Sequence, residues 1–249
     1  MGRIVFENIY KSFGSKHVLQ GVDLVVEPGQ VFFIIGQSGA GKSVLVKHLI
    51  GLIEPDQGRI FLDDLEVTSL SEKEFYPVRK RCAMVFQNST LFDSMTLQEN
   101  VALPIRKHTK ANTKEAMEQA VEKLRLVGMH HYATRYPADF GDGMRKKVAI
   151  ARALTLDPEY VIFDEPTTGI DPISAAMVDK LIRHLSDHLG VTSIVISHDL
   201  RSIFGIADRI AMLSKGKLIL DGTQEDFKQS TNPIIDQFIN GRPEGPMDV

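Results

Sequence analysis

Apolar and polar positions fall into two regimes along this chain. Ile4-Val5-Phe6-Glu7-Asn8-Ile9 and the run from Val18 to Val26 read as strands, the second with Gly21 inside it. Val31-Phe32-Phe33-Ile34-Ile35 has no polar position at all, the pattern of a parallel strand covered on both faces. A helix over Val44 to Ile50 follows, closing near Gly51; the turn Glu54-Pro55-Asp56-Gln57-Gly58 then leads into the short strand Arg59-Ile60-Phe61-Leu62. From about Gln87 to Asp157 the spacing changes. Ala116, Ala120, Val121 and Leu124 recur at helical intervals, as do Val148, Ala149, Ala151, Ala153 and Leu154. No convincing strand falls there, so a helical subdomain is expected within an α/β core.

The core resumes at Tyr160-Val161-Ile162-Phe163, with a helix over Ala175 to Leu189 and a strand at Ser193-Ile194-Val195-Ile196. Ile210 to Leu213 and Leu218 to Leu220 form a closing hairpin through Lys215-Gly216. After Thr231 one apolar patch (Ile234, Ile235, Phe238, Ile239) predicts an ordered anchor, and the Gly and Pro residues beyond it a loose end. The expected organisation is one domain, with a core of residues 1–87 and 158–225, a helical subdomain of 88–157 and a tail of 226–249.

Between the unbroken strand and its helix lies Gly36-Gln37-Ser38-Gly39-Ala40-Gly41-Lys42-Ser43, which is G-x-x-x-x-G-K-[ST]. Glycines let backbone N–H groups turn inward around phosphates, and the helix N-terminus adds partial positive charge. Lys42 is expected to reach the β- and γ-phosphates, and the Ser43 hydroxyl to sit on Mg²⁺. A glycine-rich turn can be only a turn, but strand, helix and Lys-Ser pair together point to nucleotide.

Composition narrows the picture less. The 249 residues, 43% hydrophobic and 24% charged, suit an ordinary core, and a net charge of −3 gives no electrostatic case for nucleic-acid binding. The one cysteine, Cys82, excludes an internal disulfide and sits in an apolar run, as a buried thiol would. No stretch approaches the ~18–20 apolar residues of a membrane span, and the N-terminus lacks a signal-peptide core, so a cytosolic chain is expected.

Val161-Ile162-Phe163-Asp164-Glu165 ends a strand in two adjacent carboxylates. With a phosphate loop in the chain, Asp164 is expected to hold Mg²⁺. Side chains alternate along a strand, so Glu165 should face a different target, and it is the candidate general base for an attacking water.

Phosphate loop, Gln87, a glycine-rich turn before a long helix, Asp164-Glu165, Asp171 and His198, in this order from about residue 4 to 225, resemble an ABC-transporter ATPase subunit. The resemblance implies a P-loop NTPase core with an antiparallel β subdomain and an inserted helical subdomain. It implies that Phe13 stacks on adenine and that the loop from Gly36 to Val44 holds the phosphates. It further implies that Gln87 contacts Mg²⁺ and the water, that Asp171 belongs to a loop crossing to a partner subunit, and that His198 contacts the γ-phosphate. The bland readings are a core aromatic for Phe13, a strand cap for Gln87 and a satisfied loop histidine for His198. The family works as head-to-tail pairs with two ATP molecules between them. His130-His131 has no acidic ligand nearby in sequence and reads as surface.

One motif departs from the family. Its signature, usually Leu-Ser-Gly-Gly-Gln, falls at Phe140-Gly141-Asp142-Gly143-Met144, with Gly141 in place of the serine and Asp142 in place of the first glycine. Two charges about 6 Å apart interact by about 3 kcal/mol at an effective dielectric of ~20, so a carboxylate facing a partner's phosphates would oppose closure. The alternative is that Asp142 turns aside and caps a helix starting near Gly143. Gly141, Asp142 and Gly143 are kept as nucleotide-contacting positions, and slow turnover is expected.

The stretch Leu91 to Thr109 and the tail Asp236 to Pro246 are similar to the Mla/Mce-type phospholipid-transport ATPases. That resemblance implies an integral membrane permease, an Mce-type lipid-binding protein and a STAS-domain protein as partners, and a place on the inner face of the cytoplasmic membrane. Two other readings are the ATPase of a polar amino-acid or other small-solute importer, and an ATP-binding structural subunit that barely hydrolyses.

Overall fold

The computed structural model describes residues 2–247. Its elements, in chain order, begin with strands β1 (Ile4–Phe13), β2 (Lys16–Val26) and β3 (Val31–Ile35) and helix α1 (Lys42–Leu49). Then come β4 (Gln57–Leu62), β5 (Leu65–Glu66), α2 (Glu72–Arg81) and β6 (Cys82–Val85). Three helices follow, α3 (Leu97–His108), α4 (Thr113–Leu126) and α5 (Asp142–Ala153), and then β7 (Tyr160–Asp164), α6 (Pro172–Leu189) and β8 (Thr192–Ile196). The chain ends with α7 (Leu200–Ile206), β9 (Arg209–Ser214), β10 (Lys217–Gly222), α8 (Gln224–Lys228) and α9 (Pro233–Asn240).

The strands form two sheets. One is antiparallel, in the order β2-β1-β4-β5, and the other runs β10-β9-β3-β8-β7-β6. Within the second, β3, β6, β7, β8 and β9 are parallel and only β10 turns back. All five residues of β3 are buried because each face has its own cover. Phe32 and Ile34 pack with the antiparallel sheet and α1, while Val31, Phe33 and Ile35 pack with the helical side, where Val101, Ala120, Val148 and Val178 contribute. Fully burying a large apolar side chain is worth roughly 1.5–3 kcal/mol, so this strand alone is a major source of stability.

The apolar pattern anticipates most of these elements, and among the described residues no strand lies between Gln87 and Asp157. It gives nothing for α2. That helix buries only Phe75 and Val78, contains Pro77 and an exposed Tyr76, and is otherwise charged, so its apolar stripe is thin. Its sequence signal is the capping box, in which Ser71 N–H and Oγ donate to the Glu74 carboxylate. β1 also runs on through Phe13, past the point where its apolar pattern stops.

The tail corrects one expectation. Ile235 of α9 is buried as an anchor should be, but the chain beyond it does not trail away. The buried Gln237 amide accepts from Met247 N–H at 2.8 Å and donates to Met247 O at 3.4 Å, which folds residues 241–247 back onto the helix. The last two residues, Asp248 and Val249, lie outside the described residues. No helix among the described residues is long and apolar enough to cross a membrane.

Cys82 opens β6 at 3% exposure, and burial pushes its thiol up to about 12. Since the thiolate is the reactive form, iodoacetamide at pH 8 should leave the native protein unmodified and label it once in denaturing urea. Mass spectrometry of both samples checks this, and stoichiometric native labelling would contradict the packing.

Candidate functional site

The loop from Gly36 to Ser43 is shaped by what cannot be there. Gly36 has φ +138°, and a Cβ would lie 2.1 Å from the carbonyl oxygen of Leu213. Gly41 has φ +104°, and its Cβ would meet Leu19 Cδ2 at 2.7 Å and Val18 O at 2.8 Å. No side chain caps α1, so its first N–H groups stay available to an anion in front of the helix. Lys42 starts that helix and turns into the loop, donating to Gly36 O at 2.7 Å and Gln37 O at 2.8 Å. Burial lowers its pKa, opposed by the nearby Glu165 and Asp164 carboxylates.

β7 delivers the carboxylates opposite this loop. Ser43 Oγ donates to Asp164 Oδ1 at 3.1 Å, joining the first turn of α1 to the end of β7. Burial raises the Asp164 pKa, with the Ser43 hydrogen bond working against it. Glu165 stands in the left-handed region at φ +51°, which costs a non-glycine residue of order 1–3 kcal/mol. Three contacts hold it there. Its N–H donates to Ile196 O at 2.9 Å, Thr168 Oγ1 donates to its Oε2 at 2.9 Å, and His198 Nδ1 lies 2.9 Å from the same oxygen.

These groups open onto one cleft of about 730 Å³, lined by Phe13, Gly36, Gln37, Ser38, Gly39, Gly41, Lys42, Ser43, Val44, Gln87, Asp164, Glu165 and His198. Phe13 is 50% exposed at its mouth, with Lys11 Nζ 5.5 Å from the ring centre, so it is no core aromatic. Gln87 lies exposed two residues beyond the end of β6, and His198 is exposed too. Ala40 is the exception in the loop: it is buried and packs into the core. Three lining residues, Lys16, Val18 and Phe238, escape sequence reasoning as site positions. Phe238 comes from α9, a distant segment whose apolar patch signals only an anchor.

Four predicted positions lie away from this cleft. Asp171 caps α6, accepting from Ile173 N–H and Ser174 N–H at 3.0 Å each. Gly143 brings α5 against α6 so closely that a Cβ would lie 2.6 Å from Ser174 Cβ. The capping alternative weighed for Asp142 needs correction. Helix α5 starts at Asp142, not near Gly143, and its N-cap is Gly141, with no side-chain cap. In the first turn Asp142 is favoured by the helix dipole and forms an ion pair with Arg145, one turn on, at 2.5 Å. Asp142 and Arg145 line a second cleft with Gln87, Lys146, Thr168 and Gly169. His130 and His131 lie against each other with their rings tilted by 39°, centres 3.9 Å apart.

The family model described as ABC transporter matches residues 19–168. The chain is 38% identical, over 98% of its length and 92% of the relative's, to the intermembrane phospholipid transport system ATP-binding protein MlaF of Haemophilus influenzae. It is 37% identical, over 99% of its length and 68% of the relative's, to the probable ribonucleotide transport ATP-binding protein mkl of Mycobacterium tuberculosis. Among solved structures, a dimeric ATP-binding cassette in a post-hydrolysis state with ADP and Pi superposes with a TM-score of 0.81 at 27% identity, covering 88% of this chain and 98% of that one. A Clostridium perfringens cassette, part of the ABC transporter complex cbiONQ, gives 0.84 at 27% identity, covering 96% and 95%. Matched by that model and by relatives along nearly its whole length, the chain belongs to the ABC transporter family, as one of its ATP-binding, ATP-hydrolysing subunits.

Proposed function

We propose that this subunit energises phospholipid transport across a bacterial cell envelope, as a head-to-tail dimer docked on an integral membrane permease at the inner face of the cytoplasmic membrane. The observation that carries the lipid reading is the match to a phospholipid-transport ATPase along 98% of this chain and 92% of that protein. The ribonucleotide-transport relative supports a second reading, a polar solute as cargo, but its chain extends well beyond the matched part. An Mce-type lipid-binding protein and a STAS-domain protein are the further partners of the lipid reading.

Within the site, Phe13 stacks on adenine, and the N–H groups of the loop from Gly36 to Val44, with Lys42, hold the phosphates. Glu165 is the general base: its carboxylate is held by Thr168 and His198 beside the loop, and it takes a proton from water attacking the γ-phosphate in line. His198 and Lys42 offset the charge that develops on the phosphoryl oxygens. Ser43 Oγ and Asp164 Oδ1, 3.1 Å apart, are hard oxygen donors that suit Mg²⁺ when phosphate oxygens complete the shell, with Gln87 alongside. Among the described residues no three His, Cys, Asp or Glu side chains converge on a metal, which agrees with a cation held partly by its nucleotide. Bound there, Mg²⁺ would neutralise phosphate charge. Gly141, Asp142, Gly143 and Asp171 act on the nucleotide of the second copy.

Three outcomes are expected. Glu165→Gln should keep ATP binding and lower hydrolysis by about 10²–10⁴-fold, the usual contribution of a general base, while trapping a closed dimer on size exclusion; wild-type turnover would remove Glu165 from the role. The double change Gly141→Ser with Asp142→Gly should raise steady-state turnover, and no increase would mean that the Arg145 partner already compensates Asp142. Gentle solubilisation of the tagged subunit from its native membranes should bring down a multi-span permease with bound phospholipid. A permease with a nucleoside- or amino-acid-binding protein would sink the lipid reading and leave the ATPase standing.

A further inference from the structure

Residues 86–91 join β6 to the helical side and carry Gln87, yet this segment has little of its own to hold it. Among the described residues, turn and loop hydrogen bonds between main-chain groups skip it entirely. Thr90 adds strain, standing at φ +48°. The carbonyls find their donors instead on α5. Lys146 Nζ donates to Phe86 O at 3.1 Å and, more closely, to Gln87 O. Arg152 Nη1 donates to Thr90 O at 2.9 Å, and its Nη2 to Thr90 Oγ1 at 2.9 Å and Ser89 O at 3.3 Å.

This is an expensive way to tie down a loop. Lys146 is 2% exposed and forms no ion pair among the described residues, so its desolvated charge is met directly by carbonyl dipoles, with the Asp142 and Asp164 carboxylates acting on it from beyond ion-pair distance. Stability does not require it, because replacing a buried charge by an apolar group of similar volume is often neutral or stabilising. What the arrangement does supply is a mechanical link. Gln87 lines both the nucleotide cleft and the second cleft beside Asp142, and α5 begins with the segment around Asp142.

We infer that Lys146 and Arg152 are positioning residues, which clamp the 86–90 segment to α5 so that Gln87 and the Asp142 end of that helix keep one fixed relation. The inference deepens the proposed ATPase mechanism and rests on Gln87 acting at the nucleotide. The two cations sit six residues apart on α5, nearly two turns, and grip opposite ends of the segment. Lys146 fixes the carbonyl of Gln87 itself, which sets where its side chain starts. Arg152 holds Thr90 in its left-handed turn, from which the chain leaves toward α3.

The test uses the purified full-length subunit with its co-purifying membrane partners. Lys146→Met keeps the side-chain length and removes the charge and donors; Phe86 and Gln87 are exposed, so water can take over their carbonyls. Arg152→Lys keeps the charge but cannot reach Ser89 O, Thr90 O and Thr90 Oγ1 together. Each should lower kcat about tenfold, leave KM for ATP within about twofold and leave the unfolding midpoint in place. Amide hydrogen exchange should rise in peptides spanning 86–91 and not in those of β3 or β7. Combined with Gln87→Ala, neither should lower kcat further, since both act through Gln87. Wild-type kcat in both variants, or losses that add fully to that of Gln87→Ala, would overturn the inference while the ATPase mechanism stands. No effect of Gln87→Ala alone would instead remove the role of Gln87, and the inference with it. If Lys146→Met does not fold, Arg152→Lys decides alone.

Discussion

A sheet covered on both faces leaves only the ends of its strands for chemistry, and here that constraint builds the site. β3, β7 and β8 are parallel and in register, with Ile34 opposite Ile196 and Ile196 opposite Asp164. Whatever follows each strand must therefore emerge at one level on one edge. The glycine-rich loop follows β3, Glu165 follows β7 and His198 follows β8, so three segments far apart in sequence meet without any long-range design beyond strand pairing. The site depends on this register more than on any single contact within it.

At that edge the backbone is under strain at the candidate general base. Glu165 occupies a left-handed conformation that a glycine would adopt freely, and it stays there because Ile196, Thr168 and His198 all hold it. A carboxylate pinned this way loses little freedom on meeting a water molecule. The adjacent Asp164 ends β7 facing Ser43, and the left-handed turn at Glu165 then aims the second acid at Thr168 and His198 instead.

Much of this was legible in the residues, for physical reasons. The glycine-lysine-serine loop and the acidic pair follow unbroken apolar strands, and such strands are readable because nothing polar survives on either face of a covered sheet. α2 was illegible because it lies on the surface with two buried side chains, so its amphipathic stripe is too narrow to register against a charged background. For Asp142 the spacing locates the motif but not the helix start, which makes Gly141 rather than Asp142 the cap, and Arg145, the side chain that answers its charge, lies outside the motif. Phe238 reaches the nucleotide cleft only through the path of the chain after β10, which no local pattern encodes.

The strand order also dictates when this protein can fold. β3 is made within the first 35 residues, yet both its neighbours in the sheet, β8 and β9, come after residue 190. A growing chain on the ribosome therefore exposes Val31-Phe32-Phe33-Ile34-Ile35 long before its partners exist. Such a strand, apolar on both faces and unpaired on both edges, is a template for aggregation. The Leu213 carbonyl that crowds Gly36 belongs to β9, so the phosphate loop meets its final packing only once β9 is in place. The subunit thus cannot build its nucleotide site domain-first during synthesis, and the oldest part of its core has to be shielded until the newest part arrives.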